Sequence, residues 1–161
     1  MLEIVGAYVP SRDASVGKTE RKRRFLADLS DALGAAPRAA VLIGDLNIIE
    51  PWHRPSYPWF QDWEYAFYEG LLADGWVDAY RRCSPEGAEH SWVGHDGDAY
   101  RYDHALVSSV LAERVLDCAY VHETREVGLT DHSAMTLTLE LAGVQPLDVD
   151  RKFSGEQPTL F

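Results

Sequence analysis

The chain alternates between stretches patterned for strands and stretches patterned for helices. Leu2 to Val9 is mainly apolar and β-prone and is stopped by Pro10, which predicts a strand running into a loop. From Thr19 onward, Phe25, Leu26, Leu29, Ala32 and Leu33 recur at helical spacing, with charges opposite and Gly34 placed as a terminator. Ala39 to Ile43 is continuously apolar and of strand length, the pattern of a strand buried on both faces, and Gly44-Asp45 ends it. A second helix fits Asp62 to Ala73, where Trp63, Phe67 and Leu71 stack four apart before Asp74-Gly75. Between these elements, Ile49 to Phe60 carries Pro51, Pro55 and Pro58 among Trp52, Tyr57 and Trp59, which predicts an irregular aromatic loop of the kind that often carries function. Tyr100 to Val107, Val115 to Thr124 and Ala134 to Leu141 read as further strands, the last alternating Met135, Leu137, Leu139 and Leu141 with polar residues. Residues 1–142 form the expected domain, and Gly143 to Phe161 reads as a loosely held or partner-bound tail.

Composition narrows the class. A chain of 161 residues, 46% hydrophobic and 25% charged, is long enough to bury a core in one domain, and disorder and collagen-like repeats are excluded. No membrane-length apolar run and no signal-peptide pattern occur, so the expected location is cytoplasmic. Cys83 and Cys118 lack metal-ligand spacing and are expected to be packed thiols. A net charge of -11 opposes indiscriminate binding to a polyanion, so any nucleic-acid contact has to be local. The one basic cluster, Arg12, Lys18, Arg21, Lys22, Arg23 and Arg24, reads as a solvated helix face rather than a phosphate patch.

Three polar segments punctuate strand ends: Gly44-Asp45-Leu46-Asn47, Arg101-Tyr102-Asp103-His104 and Thr130-Asp131-His132-Ser133. A carboxylate just after a buried strand, with an amide two residues on, suits the orientation of a water beside a phosphoryl group and a metal ion. Asp131-His132 offers a hard-cation ligand and an imidazole, and Asp103 is a candidate to hold that imidazole in one tautomer. The other five histidines lack such a partner pattern and read as surface or structural residues.

Tyr8-Val9-Pro10, Gly44-Asp45-Leu46-Asn47-Ile48, Ser91-Trp92, Arg101-Tyr102-Asp103 and Asp131-His132-Ser133 occur in an order and approximate spacing that resemble the exonuclease III (abasic-site, or AP, endonuclease) branch of the endonuclease/exonuclease/phosphatase superfamily. Glu64 to Gly75 followed by Trp76 to Arg81 also looks like that branch, and the resemblance runs from about Val5 to Leu141. It implies an α/β (α+β) fold that is part of a DNase I-like four-layered sandwich, and a divalent-metal-dependent phosphodiester hydrolase acting on DNA at abasic sites or strand ends. It also implies roles. Asp45 would activate the attacking water, and Asn47 would steady it and the phosphate. His132 would stabilise charge on the phosphate, oriented by Asp103, and Tyr8 would lie near the phosphate or leaving oxygen. Trp92 and Arg101 would contact substrate, and Asp131 with Asp45 would hold Mg²⁺ or Mn²⁺.

The family's upstream asparagine strand and glutamate strand, which supplies the main metal ligand, have no counterpart in this chain. The sequence is therefore expected to be the C-terminal portion of the domain, leaving an apolar sheet face exposed. A homodimer, a separate N-terminal half or a longer natural protein would each cover that face. Two other functional readings stay open beside the nuclease: a weakly active or inactive half-domain that binds proteins, and a hydrolase of small phosphoesters.

Overall fold

The structure, a computed structural model, describes residues 1–34 and 38–143. Strand β1 (Glu3–Tyr8) leads into helix α1 (Val16–Leu33), which ends where Gly34, at φ 58°, turns its N–H back to the Ser30 carbonyl. Strand β2 (Ala40–Asp45) is followed by the irregular segment predicted from its prolines, and then by helix α2 (Asp62–Ala73). At the start of α2 the Gln61 N–H donates to the Glu64 carboxylate at 3.0 Å, and the Glu64 N–H donates to the Gln61 carbonyl at 2.8 Å. Strand β3 (Trp76–Asp78) runs into the short helix α3 (Ala79–Cys83). The hairpin β4 (Trp92–Val93) and β5 (Ala99–Tyr100) precedes β6 (Asp103–Ser108) and α4 (Ser109–Ala112). The described chain closes with β7 (Val115–Val121), α5 (Glu123–Glu126) and β8 (Ala134–Leu139).

Four strands form one sheet in the order β1-β2-β6-β3, with β1 parallel to β2 and the other neighbours antiparallel. Strand β2 is central, and its alternation explains the continuous apolar run. Ala40 and Leu42 pack with α1 and α2 residues such as Leu26, Leu33, Tyr68 and Leu71, whereas Val41 packs on the opposite face. There Ala105, Val107, Tyr80 and Leu111 meet Cys118 and Tyr120 of the separate β7-β8 ribbon. Helices, four-stranded sheet and ribbon therefore stack in that order, an α/β arrangement. A third cluster, Ile49, Tyr57 and Tyr100 with Phe60, Trp92 and Tyr102, packs the aromatic loop against the β4-β5 hairpin.

Several expectations are corrected. The strand predicted from Tyr100 to Val107 is broken at Arg101-Tyr102, so Tyr100 belongs to the hairpin and Asp103 begins the sheet strand. The strand predicted to Thr124 stops at Val121, because the chain turns into α5. Cys118 is buried, but Cys83 is exposed at the end of α3 and is not a packed thiol. Lys22 does not lie on a solvated helix face: it is 2% exposed. Ile4 and Tyr8 on edge strand β1 are 65% and 72% exposed, so apolar surface is open there. No described helix is long and apolar enough to cross a membrane. The expected tail lies, from residue 144 on, outside the described residues.

Candidate functional site

Sheet register assembles the site. Tyr8 pairs with Asp45 across β1 and β2, and Asp45 pairs with Asp103 across β2 and β6, so three residues far apart in sequence lie in one row. The row sits where β1 and β2 end and β6 begins, and Val9 N–H to Asp45 O and Leu46 N–H to Tyr102 O extend the ladder past it, both at 2.9 Å. His132 joins from the segment before β8, with its Nδ1 2.7 Å from Asp103 Oδ2. That segment is docked by a bridge between Trp92 and His132 and by Ser133 N–H on the Ser91 carbonyl at 2.7 Å.

The turn after β2 is built around Asn47. Leu46, Ile48 and Ile49 are buried, which leaves Asn47 half-buried at the rim. Its φ of 48° makes it the one non-glycine residue in the left-handed region among the described residues, a conformation that asparagine tolerates better than most. Asn47 donates from its backbone N–H to Asp45 Oδ1 and from Nδ2 to Asp45 Oδ2 and to the Val9 carbonyl, each at 2.9 Å.

The electrostatics follow from burial and partners. Burial pushes the Asp45 carboxyl up to about 6; the Asn47 N–H works the other way, and the neighbouring Asp103 adds to the rise. Asp45 is thus poised to exchange a proton near neutral pH. The hydrogen bond to Asp103 raises His132 above its ordinary value. With Nδ1 engaged by Asp103, Nε2 is the ring nitrogen left for another partner. Trp92 donates from Nε1 to Asp131 Oδ2 at 3.0 Å, which holds that exposed carboxyl below its usual range, and Trp92 stacks on Tyr100 at 5.4 Å. Beside Asn47 opens a cavity of about 720 Å³ whose walls include Trp59, Phe60, Tyr100, Tyr102, Arg12 and Lys22.

Arg101 is a correction. It is fully buried and cannot touch substrate. Its Nε lies 2.7 Å from Glu50 Oε2 and its Nη2 lies 2.6 Å from Asp78 Oδ2. Among the described residues no group of three or more His, Cys, Asp or Glu side chains converges to hold an ion. Both Asp45 oxygens are bonded by Asn47, and one Asp131 oxygen by Trp92. The described donor set by itself does not fit a divalent-metal site.

Sequence reading missed the scaffold behind these residues. Ser91 Oγ accepts the N–H groups of Tyr102 and Asp103 at 3.0 Å each, and Tyr120 donates to the Asp103 carbonyl at 2.6 Å. Lys22 donates to the Asn47 carbonyl at 2.5 Å. A lysine flanked by arginines on an amphipathic helix gives no signal of burial. His104, read as structural, is buried with Nε2 3.1 Å from the Ile48 carbonyl.

No protein-family model matches the chain. Exodeoxyribonuclease III of Haemophilus influenzae is 27% identical over 150 aligned residues, which cover 78% of this chain and 56% of that protein. The 3′ phosphatase NExo from Neisseria, bound to product DNA hairpin, superposes with a TM-score of 0.74 at 25% identity, covering 86% of this chain and 61% of that one. The 3′-5′ exonuclease NExo from Neisseria meningitidis gives 0.73 at 26% identity with the same coverages. An AP endonuclease from Archaeoglobus fulgidus has the same fold over 87% of this chain and 62% of its own, with a TM-score of 0.76 at 22% identity. The chain spans less than two-thirds of the length of each of these proteins. Motif order, the row of site residues and these likenesses agree: the chain is similar to the exonuclease III and AP endonuclease branch of the endonuclease/exonuclease/phosphatase superfamily, over part of that domain.

Proposed function

We propose that this chain carries the hydrolytic residues of an exonuclease III-type phosphodiesterase acting on DNA at abasic sites or 3′ ends. The observation that carries the reading is the convergence of Tyr8, Asp45 and Asp103 in one row, with His132 bonded to Asp103. Asp45 takes a proton from the attacking water, and its raised pKa brings that exchange close to neutral pH. Asn47, held against Asp45, presents an amide beside the water and the phosphate. His132 meets the growing charge on the phosphoryl oxygens, and Asp103 favours its cationic form. Tyr8 reaches the leaving oxygen from the open edge strand, and Trp92 offers an aromatic surface to the sugar or base.

A divalent cation, Mg²⁺ or Mn²⁺, with Asp131 and Asp45 as its ligands, enters this reading on the resemblance alone, and no step is assigned to it. The test is hydrolysis of duplex oligonucleotides carrying an abasic site or a 3′ phosphate, with Mg²⁺, Mn²⁺ or EDTA, beside Asp45→Asn and His132→Ala. The expected result is cleavage that EDTA abolishes and that each variant lowers by at least about 100-fold, the range seen when a proton-transfer or charge-stabilising group is removed. Variants that cleave at the parent rate would overturn it.

A second reading, a half-domain that binds protein, draws on the unconverged ion ligands and the open edge of β1. Absence of cleavage with every metal, together with a concentration-dependent dimer in sedimentation, would favour it.

A further inference from the structure

Asn47 is held in the left-handed backbone region that residues other than glycine seldom occupy, a conformation that persists where its surroundings enforce it. Its side chain and N–H are bonded to Asp45, the last residue of β2, and its side chain also to Val9, just past β1. Its carbonyl is bonded instead from outside the sheet, by the Lys22 ammonium of α1. Lys22 Nζ also lies 2.6 Å from Glu64 Oε1, and the two side chains are 2% and 1% exposed. Glu64 is fixed in turn by the Gln61 N–H at 3.0 Å, by Arg12 Nε at 3.1 Å and by a further contact from Arg12 Nη2. One buried carboxylate thus ties the start of α2, the loop after β1 and helix α1 to a single peptide group, that of Asn47.

Burying an ion pair contributes little net stability, and a shape-matched apolar pair would pack this helix contact equally well. A buried lysine aimed at the carbonyl of the left-handed residue is instead suited to setting the direction in which that residue's side chain points. We infer that Lys22, clamped by Glu64, is a positioning residue for Asn47: it holds the Asn47 peptide so that the amide stays bridged between Val9 and Asp45. The inference rests on the proposed hydrolytic reading for its catalytic consequence, but its structural part stands without it.

The chain makes the test direct, because Asn47 is its single asparagine. Protein labelled with ¹⁵N-asparagine shows one side-chain amide pair and one Asn backbone signal. In the parent, both amide protons are expected away from free-amide positions and slow to exchange. In Lys22→Met they are expected to move to free-amide positions and exchange at least about tenfold faster, while circular dichroism keeps the folded signature. Glu64→Gln, which leaves the ammonium in place but loosens its clamp, is expected to move the same pair part of the way; it serves if Lys22→Met does not fold.

In the abasic-site assay, Lys22→Met is expected to lower kcat about 10- to 100-fold with KM within about twofold, and to add less than about twofold on an Asn47→Ala background. An unmoved amide pair in the variants, or a loss that multiplies in full on the Asn47→Ala background, would overturn the inference. A parent chain that hydrolyses no DNA would remove the functional reading, and the amide spectrum would still decide whether Lys22 positions Asn47.

Discussion

Replacing Arg101 with methionine separates a buried scaffold residue from a substrate contact. In the structure the guanidinium is fully buried between Glu50 and Asp78. Removing one partner of a buried ion pair costs about 3–5 kcal/mol, because it leaves a carboxylate without compensation. The lower end applies here. Glu50 keeps Arg81, and Asp78 keeps the Tyr68 hydroxyl at 2.8 Å and the Arg81 N–H at 2.9 Å. With urea slopes of about 1–3 kcal/mol/M, a loss of about 3 kcal/mol moves the unfolding midpoint down by about 1–3 M.

The loss also depends on pH. Burial alone would raise Asp78 and Glu50, but Arg101 outweighs it and holds both below the ordinary carboxylate range, Glu50 at about 2. A carboxylate depressed in the folded state contributes stability that is present above its unfolded pKa and lost as pH falls toward its folded value. In Arg101→Met the burial penalty at Asp78 is less opposed, and protonation relieves it. The difference between parent and variant is therefore largest near neutral pH and shrinks as pH falls to about 4.5, just above the unfolded carboxylate range. Tryptophan fluorescence during urea titration at the two pH values reads both effects. A midpoint shift below about 0.3 M near neutral pH, or a shift of equal size at both pH values, would refute the reasoning. If the chain binds DNA as proposed, the folded variant should also keep the salt slope of that binding, whereas a lost phosphate contact would reduce it by about one.

Two further outcomes follow from the site. Asp103→Asn removes the partner that raises His132, so the imidazole titration followed by NMR should move down toward its ordinary value; an unchanged curve would mean that Asp103 does not tune the ring. Gly44→Ala should cost at least about 2 kcal/mol in chemical denaturation, because φ is 145° and a methyl group there would overlap the Ala7 carbonyl across β1 and β2; a parent-like midpoint would contradict that close approach.

The elements themselves were largely legible. The spacing of Trp63, Phe67 and Leu71 placed α2 at Asp62 to Ala73, and the prolines of the 49–60 segment placed the irregular loop, because a repeating burial pattern and a missing backbone N–H are local properties. Strand ends were less so. The hairpin break at Arg101-Tyr102 depends on Ser91 accepting the N–H groups of Tyr102 and Asp103 from another segment.

For the site, the order of residues already put Asp45 and Asn47, Asp103, and Asp131-His132 near the ends of strand-like segments. That Tyr8, Asp45 and Asp103 share one row, that His132 bonds Asp103, and that Arg101 faces inward while Lys22 reaches the Asn47 carbonyl emerged with folding. The physical reason is that chain pattern reports burial averaged over a helix turn or a strand alternation. The direction of a single cation depends on carboxylates such as Glu64, Asp78 and Glu50 that folding brings from tens of residues away.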